Sequence, residues 1–183
     1  MDIVIDSINM RTMRSSAAAS TYTHSEGLTP VEQAAFGRVA AAARGKPILD
    51  IGFGGGRTVD PLLAISTDYL GIDYCQEMVD ACRRKHPGVR LQLADARDLS
   101  QLQPDSIALA VFRCNGIGMV NHADRLVILA QVHRVLRLGW HLCVLDPQSG
   151  LPTTWPAFAF RASSTPETPR ASLSAARASA LKP

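Results

Sequence analysis

Leu49–Thr58, LDIGFGGGRT, is the stretch that decides the fold of this chain. The residues before it, Pro47 to Ile51, are mostly apolar and the length of one buried strand, and Val59 to Ile65 after it has the spacing of an amphipathic helix. Between them stand an acid and alternating glycines. A glycine accepts positive φ and, having no Cβ, lets a ligand lie against the backbone; the N–H groups that open the following helix face the same side. The turn therefore predicts that something is held against it.

Upstream, Thr29 reads as an N-cap with Pro30 at the first helical position and Glu32 at the third, so the alanine-rich run to Arg44 is expected to be helical until Gly45 stops it. Downstream, strand and helix alternate. Tyr69 to Asp73 reads as a second buried strand, Gln76 to Lys85 as a helix ended by His86, Pro87 and Gly88, and Val89 to Leu93 as a third strand. Ile107 to Phe112 is a fourth, Asp124 to Leu138 a long helix, and Trp140 to Leu145 a fifth strand. Such alternation predicts a Rossmann-like, doubly wound α/β fold. Its mainly parallel sheet of about five strands has helices on both faces and binds ligands at the carboxyl ends of the strands. Residues 1–27 are rich in Ser, Thr and Ala without periodicity and are expected to be a flexible arm, residues 28–150 the folded domain. Residues 151–183 are dominated by Pro, Ser, Ala, Thr and Arg, a low-complexity composition that predicts a disordered tail with one weak helix around Ala171 to Ala180.

The bulk composition fits one globular domain: 183 residues, 46% hydrophobic and 19% charged. A net charge of +3 without a dense Lys/Arg run gives no argument for nucleic acid as a partner. Cys75, Cys82, Cys114 and Cys143 form no CxxC pair or zinc spacing, so no metal is expected and the thiols read as reduced, in a cytoplasmic protein. The opening MDIVIDSINM carries acids where a signal peptide carries lysine or arginine, and no apolar run nears the roughly 20 residues a bilayer needs, so no membrane partner is expected.

Three carboxylates fall just after successive strands: Asp50, Asp73 and Asp95. A parallel sheet brings them to one edge. With the glycine turn, the pattern resembles the class I methyltransferases that use S-adenosylmethionine, from about Tyr22 to Pro147. LDIGFGGG is similar to the family's first motif, an acid followed by Gly52, Gly54 and Gly56; GIDY to the second; LADARDL to the third; and HRVLRLGW, His133 to Trp140, to the HRVLRPGG that precedes the fifth strand in small bacterial-type members. The resemblance implies S-adenosyl-L-methionine as cofactor, held by Asp50, Gly52, Gly54 and Gly56, with Asp73 on the ribose hydroxyls, Asp95 near the adenine amine, and Ile72, Tyr74 and Ala96 flanking the adenine. Each acid also has a local reading: Asp50 as a buried acid satisfied by loop N–H groups, Asp73 as the cap of the helix near Gln76, Asp95 as the end of a turn. Arg57 stands open between a partner for the methionine carboxylate and a solvated side chain.

The segment after the fourth strand, Phe112 to Val120, FRCNGIGMV, lies where this fold places the acceptor, and Asn115 and His122 are the polar side chains expected to face it, against local readings as a turn and a helix cap. The segment lacks the Asn-Pro-Pro-Tyr type motif of enzymes that methylate amino groups of bases or glutamine, and no residue stands out as a general base. The implied function is methyl transfer to a small-molecule acceptor. Two alternatives remain: a degenerate S-adenosylmethionine-binding protein without catalysis, and an NAD-dependent oxidoreductase, which Arg57 disfavours because GxGxxG wants glycine or alanine there. The chain departs from the family at Leu138, Gly139 and Trp140, and it shows no plausible sixth and seventh strands. The expectation is therefore a C-terminally truncated methyltransferase that lacks the usual strand hairpin and leaves its fifth strand as an exposed edge, open to homodimerisation.

Overall fold

Thr29 and Glu32 cap each other. The Thr29 hydroxyl accepts the Glu32 N–H at 3.3 Å and the Glu32 carboxylate accepts the Thr29 N–H at 2.7 Å, with Pro30 pre-set at the first helical position. They open α1 (Pro30–Ala43). In the computed structural model, residues 27–112, 117, 120–144 and 159–161, together with Arg11, are described. After α1 come β1 (Ile48–Ile51), α2 (Val59–Ile65), β2 (Tyr69–Asp73), α3 (Gln76–Lys85), β3 (Leu91–Leu93), β4 (Ile107–Phe112), α4 (His122–Val135), β5 (Leu136–Val144) and β6 (Ala159–Arg161).

The sheet order is β3-β2-β1-β4-β5-β6. The first five strands are parallel, and β6 runs antiparallel to β5 with Leu142 opposite Phe160. The chain winds outward from β1 through β2 to β3, then crosses back to place β4 on the other side of β1, so the switch point lies between β1 and β4. An open crevice forms at the carboxyl ends of the strands at such a point.

Period-2 alternation in the central strands divides the core into two layers. Ile48, Tyr69, Leu109 and Val111 pack against Phe36 and Val39 of α1, Leu62 of α2 and Val79 of α3. Leu49, Ile72, Ala110 and Phe112 face the other way, against Leu99 and against Ile128, Val132 and Val135 of α4. β1, β2 and β4 are buried throughout, which is why they read as continuous apolar runs. Each fully buried Leu, Ile or Val contributes about 1.5–3 kcal/mol relative to exposure.

The C-terminal half differs from expectation. The helix expected to run to Leu138 ends at Val135, and β5 starts at Leu136, not at Trp140. The apolar spacing of HRVLRL serves a helix and a strand equally. Pairing of Leu136 with Ile107, with the Ser106 N–H donating to the Val135 carbonyl, decides in favour of the strand. β6 is a further correction: β5 carries an antiparallel neighbour and is not the exposed edge on which the homodimer expectation rested. β3 is two residues shorter than expected. Apart from Arg11, the arm before Gly27 lies outside the described residues, as do the weak helix at Ala171 to Ala180 and the rest of the tail apart from β6. Among the described residues no helix is long and apolar enough to cross a membrane.

Candidate functional site

The glycine turn between β1 and α2 adopts the backbone its composition calls for. Gly52, Gly54 and Gly56 all have positive φ, at 72°, 53° and 83°. They divide by what surrounds them. A Cβ added at Gly52 or Gly54 would meet nothing within 4 Å, so both border open space at the carboxyl end of β1. At Gly56 a Cβ would come within 2.6 Å of Cys82 Sγ and 2.9 Å of His86 Nε2. Gly56 is thus the glycine whose missing Cβ lets Cys82 and His86 close on the turn.

Asp50 serves the turn from within the core. It is fully buried beneath the turn, where its Oδ2 accepts the Thr58 hydroxyl at 2.8 Å and the Tyr69 hydroxyl at 2.9 Å. These two hydroxyls anchor the start of α2 and the start of β2 to the end of β1. Gly71, opposite Asp50 in the β1–β2 register, makes room for this: a Cβ there would stand 2.9 Å from the Tyr69 hydroxyl oxygen. Tyr69 and Thr58 were missed in the sequence, because the signal that joins them to Asp50 is strand register.

Asp73 closes β2 and is almost buried. Its Oδ2 accepts the Gly54 N–H at 2.9 Å and its Oδ1 the Cys75 N–H at 2.9 Å. The carboxylate is held beside the open glycines, and it also takes the amide just ahead of α3, whose N-cap is Cys75 with no side-chain cap bond. The local reading of Asp73, as an acceptor for the amide ahead of the helix near Gln76, is what the Cys75 bond shows. Tyr74 is exposed next to it. Beyond β3 the Ala94 N–H donates to the Asp73 carbonyl, which brings the third-strand loop to the same edge. Ala96 is buried there, while Asp95 is partly exposed and accepts the Arg97 N–H at 2.9 Å and the Arg97 guanidinium at 2.6–3.1 Å. Asp95 opens a turn instead of ending one, with its carbonyl accepting the Asp98 N–H at 3.0 Å, and its carboxylate is engaged by an arginine.

Arg57 is neither solvated nor turned to the crevice. It forms a two-pronged pair with Glu32, at 2.6 and 2.7 Å, and donates to the Gly27 carbonyl at 3.2 Å; the two side chains are 9% and 2% exposed. Glu32 was legible as the third residue of α1, but not as the partner that ties α1 to the glycine turn. On the acceptor side, His122 is the first residue of α4 and is exposed, and the cap falls to Asn121, whose side chain accepts the Asp124 N–H at 2.8 Å. Asn115 lies outside the described residues. Cys75, Cys82 and Cys143 are free thiols; Cys114 lies outside the described residues. Among the described residues no group of three metal-ligating side chains comes together.

The geometry thus brings an open backbone cradle (Gly52, Gly54), a fixed carboxylate (Asp73) and a second, partly exposed carboxylate (Asp95) to one edge of the sheet at its switch point. The cradle and the strand-end acid fit a ligand with an adenosine moiety, whose ribose hydroxyls donate well to a fixed carboxylate.

Comparison with known proteins agrees. The profile of a family described as "Methyltransferase domain" matches residues 48–139, half of the chain. Among solved structures, YcgJ from Bacillus subtilis is similar at 23% identity and a TM-score of 0.52, over 61% of this chain and 50% of that one. A putative S-adenosyl-L-methionine-dependent methyltransferase from Methanococcus maripaludis is similar at 14% identity and 0.54, over 71% and 63%. DesVI of Streptomyces venezuelae is similar at 19% identity and 0.54, over 69% and 55%. At these identities the likeness is one of fold, and the chain spans between half and just under two thirds of the length of these structures. No curated protein matches it.

Proposed function

The chain belongs to the methyltransferase-domain family, and from that premise we propose that it binds S-adenosyl-L-methionine at the carboxyl ends of β1, β2 and β3 and transfers the methyl group to a small-molecule acceptor. One observation carries the reading. Gly52 and Gly54 hold positive φ with open space where a Cβ would stand, and the Gly54 amide is bonded to the same Asp73 that ends β2. A turn that only reversed the chain would not need two uncovered glycines beside a fixed acid.

In this reading the Gly52–Gly54 backbone lies against the amino-acid end of the cofactor, Asp73 receives the ribose hydroxyls, and Tyr74 and Ala96 border the base. The bound sulfonium supplies an electrophilic methyl group. The protein's own contribution is then placement: the acceptor is brought in line with that methyl by the segment after β4, and orientation of this kind is worth several kcal/mol of barrier. His122, exposed at the start of α4, is the described polar side chain of that segment proposed to face the acceptor.

The test is the melting temperature of the purified protein with S-adenosylmethionine, S-adenosylhomocysteine and, as control, NAD. At ligand a hundredfold above its dissociation constant the stabilisation is ~2.7 kcal/mol, roughly 5–10 °C for a chain of this size. A shift with the adenosyl ligands and none with NAD supports the reading; a cooperative melt unmoved by all of them rejects it.

A further inference from the structure

We infer that Arg97 is a positioning residue that couples the nucleotide side of the crevice to its acceptor side. The inference rests on the cofactor reading above. It starts from a bridge between two carboxylates far apart in sequence. Arg97 Nε and Nη2 donate to the Asp95 oxygens at 2.6–3.1 Å, while Nη1 donates to Asp124 Oδ2 at 2.9 Å. Asp95 follows β3 on the nucleotide side; Asp124 is in the first turn of α4, on the acceptor side.

The bridge continues beyond Asp124. The same Oδ2 accepts the Asn121 side-chain amide at 3.0 Å, while the Asn121 oxygen caps α4. One residue on, Arg125 donates to the carbonyls of Ile117 at 3.0 Å and Val120 at 3.3 Å. A line of charged and polar contacts thus runs from Asp95 to the residues that enter α4 from β4.

The other end of α4 shows why this clamp differs from a structural one. There Arg134 donates to the Leu99 and Leu102 carbonyls at 2.6 and 3.0 Å, fixed backbone acceptors that no ligand in the crevice touches. The helix is held at both ends by arginine: Arg134 joins it to the Leu99–Leu102 loop through backbone carbonyls, with Gln131 of the same helix as its side-chain acceptor at 3.2–3.4 Å, whereas Arg97 joins it to the third-strand loop through two carboxylates. Those side chains are partly exposed, with Asp95 at 42%, Arg97 at 31% and Asp124 at 26%, so the pairs are weak enough for a ligand to bias. A base amine that donates to Asp95 competes with Arg97 for the same oxygens and shifts the guanidinium toward Asp124, which tightens the entry to α4 as the cofactor binds. Asp95 is then shared between cofactor and arginine.

The experiment is amide hydrogen exchange over residues 120–125, with and without S-adenosylhomocysteine, in the wild type, R97Q, R97K, D124N and R97Q/D124N. Asn at 124 keeps the backbone amide that Asn121 caps and removes only the charge. In the unliganded protein, R97Q and D124N each speed exchange at 120–125 by about two- to five-fold, the range of a partly exposed ion pair, and the double variant goes no further. R97K behaves like R97Q, since one ammonium cannot span two carboxylates as a planar guanidinium does. Saturating S-adenosylhomocysteine slows exchange at 120–125 in the wild type and loses that effect in R97Q. Unchanged exchange in unliganded R97Q, additive effects in the double variant, or full rescue by R97K overturns the inference. So does ligand-induced protection that survives R97Q. A wild type that does not bind S-adenosylhomocysteine rejects the cofactor reading, and the unliganded arm still decides whether the bridge holds α4.

Discussion

Replacing Glu32 by alanine removes half of the buried pair that fastens α1 to the glycine turn. In the folded protein Arg57 meets both Glu32 oxygens at 2.6 and 2.7 Å, with the side chains 9% and 2% exposed. Without Glu32 the guanidinium stays buried, keeps only the Gly27 carbonyl at 3.2 Å from that set, and has a buried Nε with no partner. Breaking one side of a buried pair costs about 3–5 kcal/mol because the other charge is stranded. The reciprocal cap with Thr29 is lost as well, at about 1 kcal/mol. For a chain of this length each kcal/mol lowers the midpoint by roughly 2–4 °C, so Glu32→Ala should melt about 8–24 °C lower by calorimetry or circular dichroism. The double variant Glu32→Met with Arg57→Met separates mechanisms: it strands no charge and should recover most of the loss, leaving a deficit of about 1–2 kcal/mol. A drop below 2 °C in Glu32→Ala, or a double variant as unstable as the single ones together, would refute the reasoning that this pair is buried and mutually compensated.

Gly54→Ala and Gly56→Ala should part company although both sites have positive φ: the first costs about 1–2 kcal/mol of backbone strain, while the second adds overlap with Cys82 and His86 and loses clearly more, read as the difference in melting temperature. Asp73→Ala should weaken S-adenosylhomocysteine binding by about 1.5–3 kcal/mol in isothermal titration, the range for hydrogen bonds to a charged group, and affinity equal to wild type would remove Asp73 from the site. Burial pushes the Cys143 thiol up to about 12. A thiol whose ionisation is harder in the folded state keeps its full stabilisation below the unfolded value near 9 and loses it as pH rises toward 12. Under reducing conditions the wild type should therefore lose up to about 2 kcal/mol between pH 8 and 10.5, and Cys143→Ala should lose less over that interval.

Much of the site was legible because its signals are local. The cap of α1 follows from Thr29, Pro30 and Glu32 in order, β2, β4, α2 and α3 coincide with the apolar runs that predict them, and the positive φ of Gly52, Gly54 and Gly56 follows from their having no Cβ. Local signals failed where one residue type serves two roles. Three glycines in one turn look alike in the sequence, yet two border open space and one is pressed against α3. Two aspartates at strand ends look alike, yet Asp50 points under the turn and Asp73 holds it from the side. The difference is set by strand alternation together with what packs on each face.

By itself the sequence determined the alternating α/β order, the parallel sheet and the position of the glycine turn, since period, length and turn chemistry are properties of neighbouring residues. Only the tertiary structure decided which charges meet. Arg57 finds Glu32 25 positions away, Arg97 finds Asp124 across 27, and Ala159 of β6 pairs with Cys143 of β5. Such partners are chosen by register and by which faces of the sheet the helices cover. At Arg57 and Glu32 desolvation makes the choice binding, because a charge taken out of water persists only where an opposite charge or a hydrogen bond awaits it.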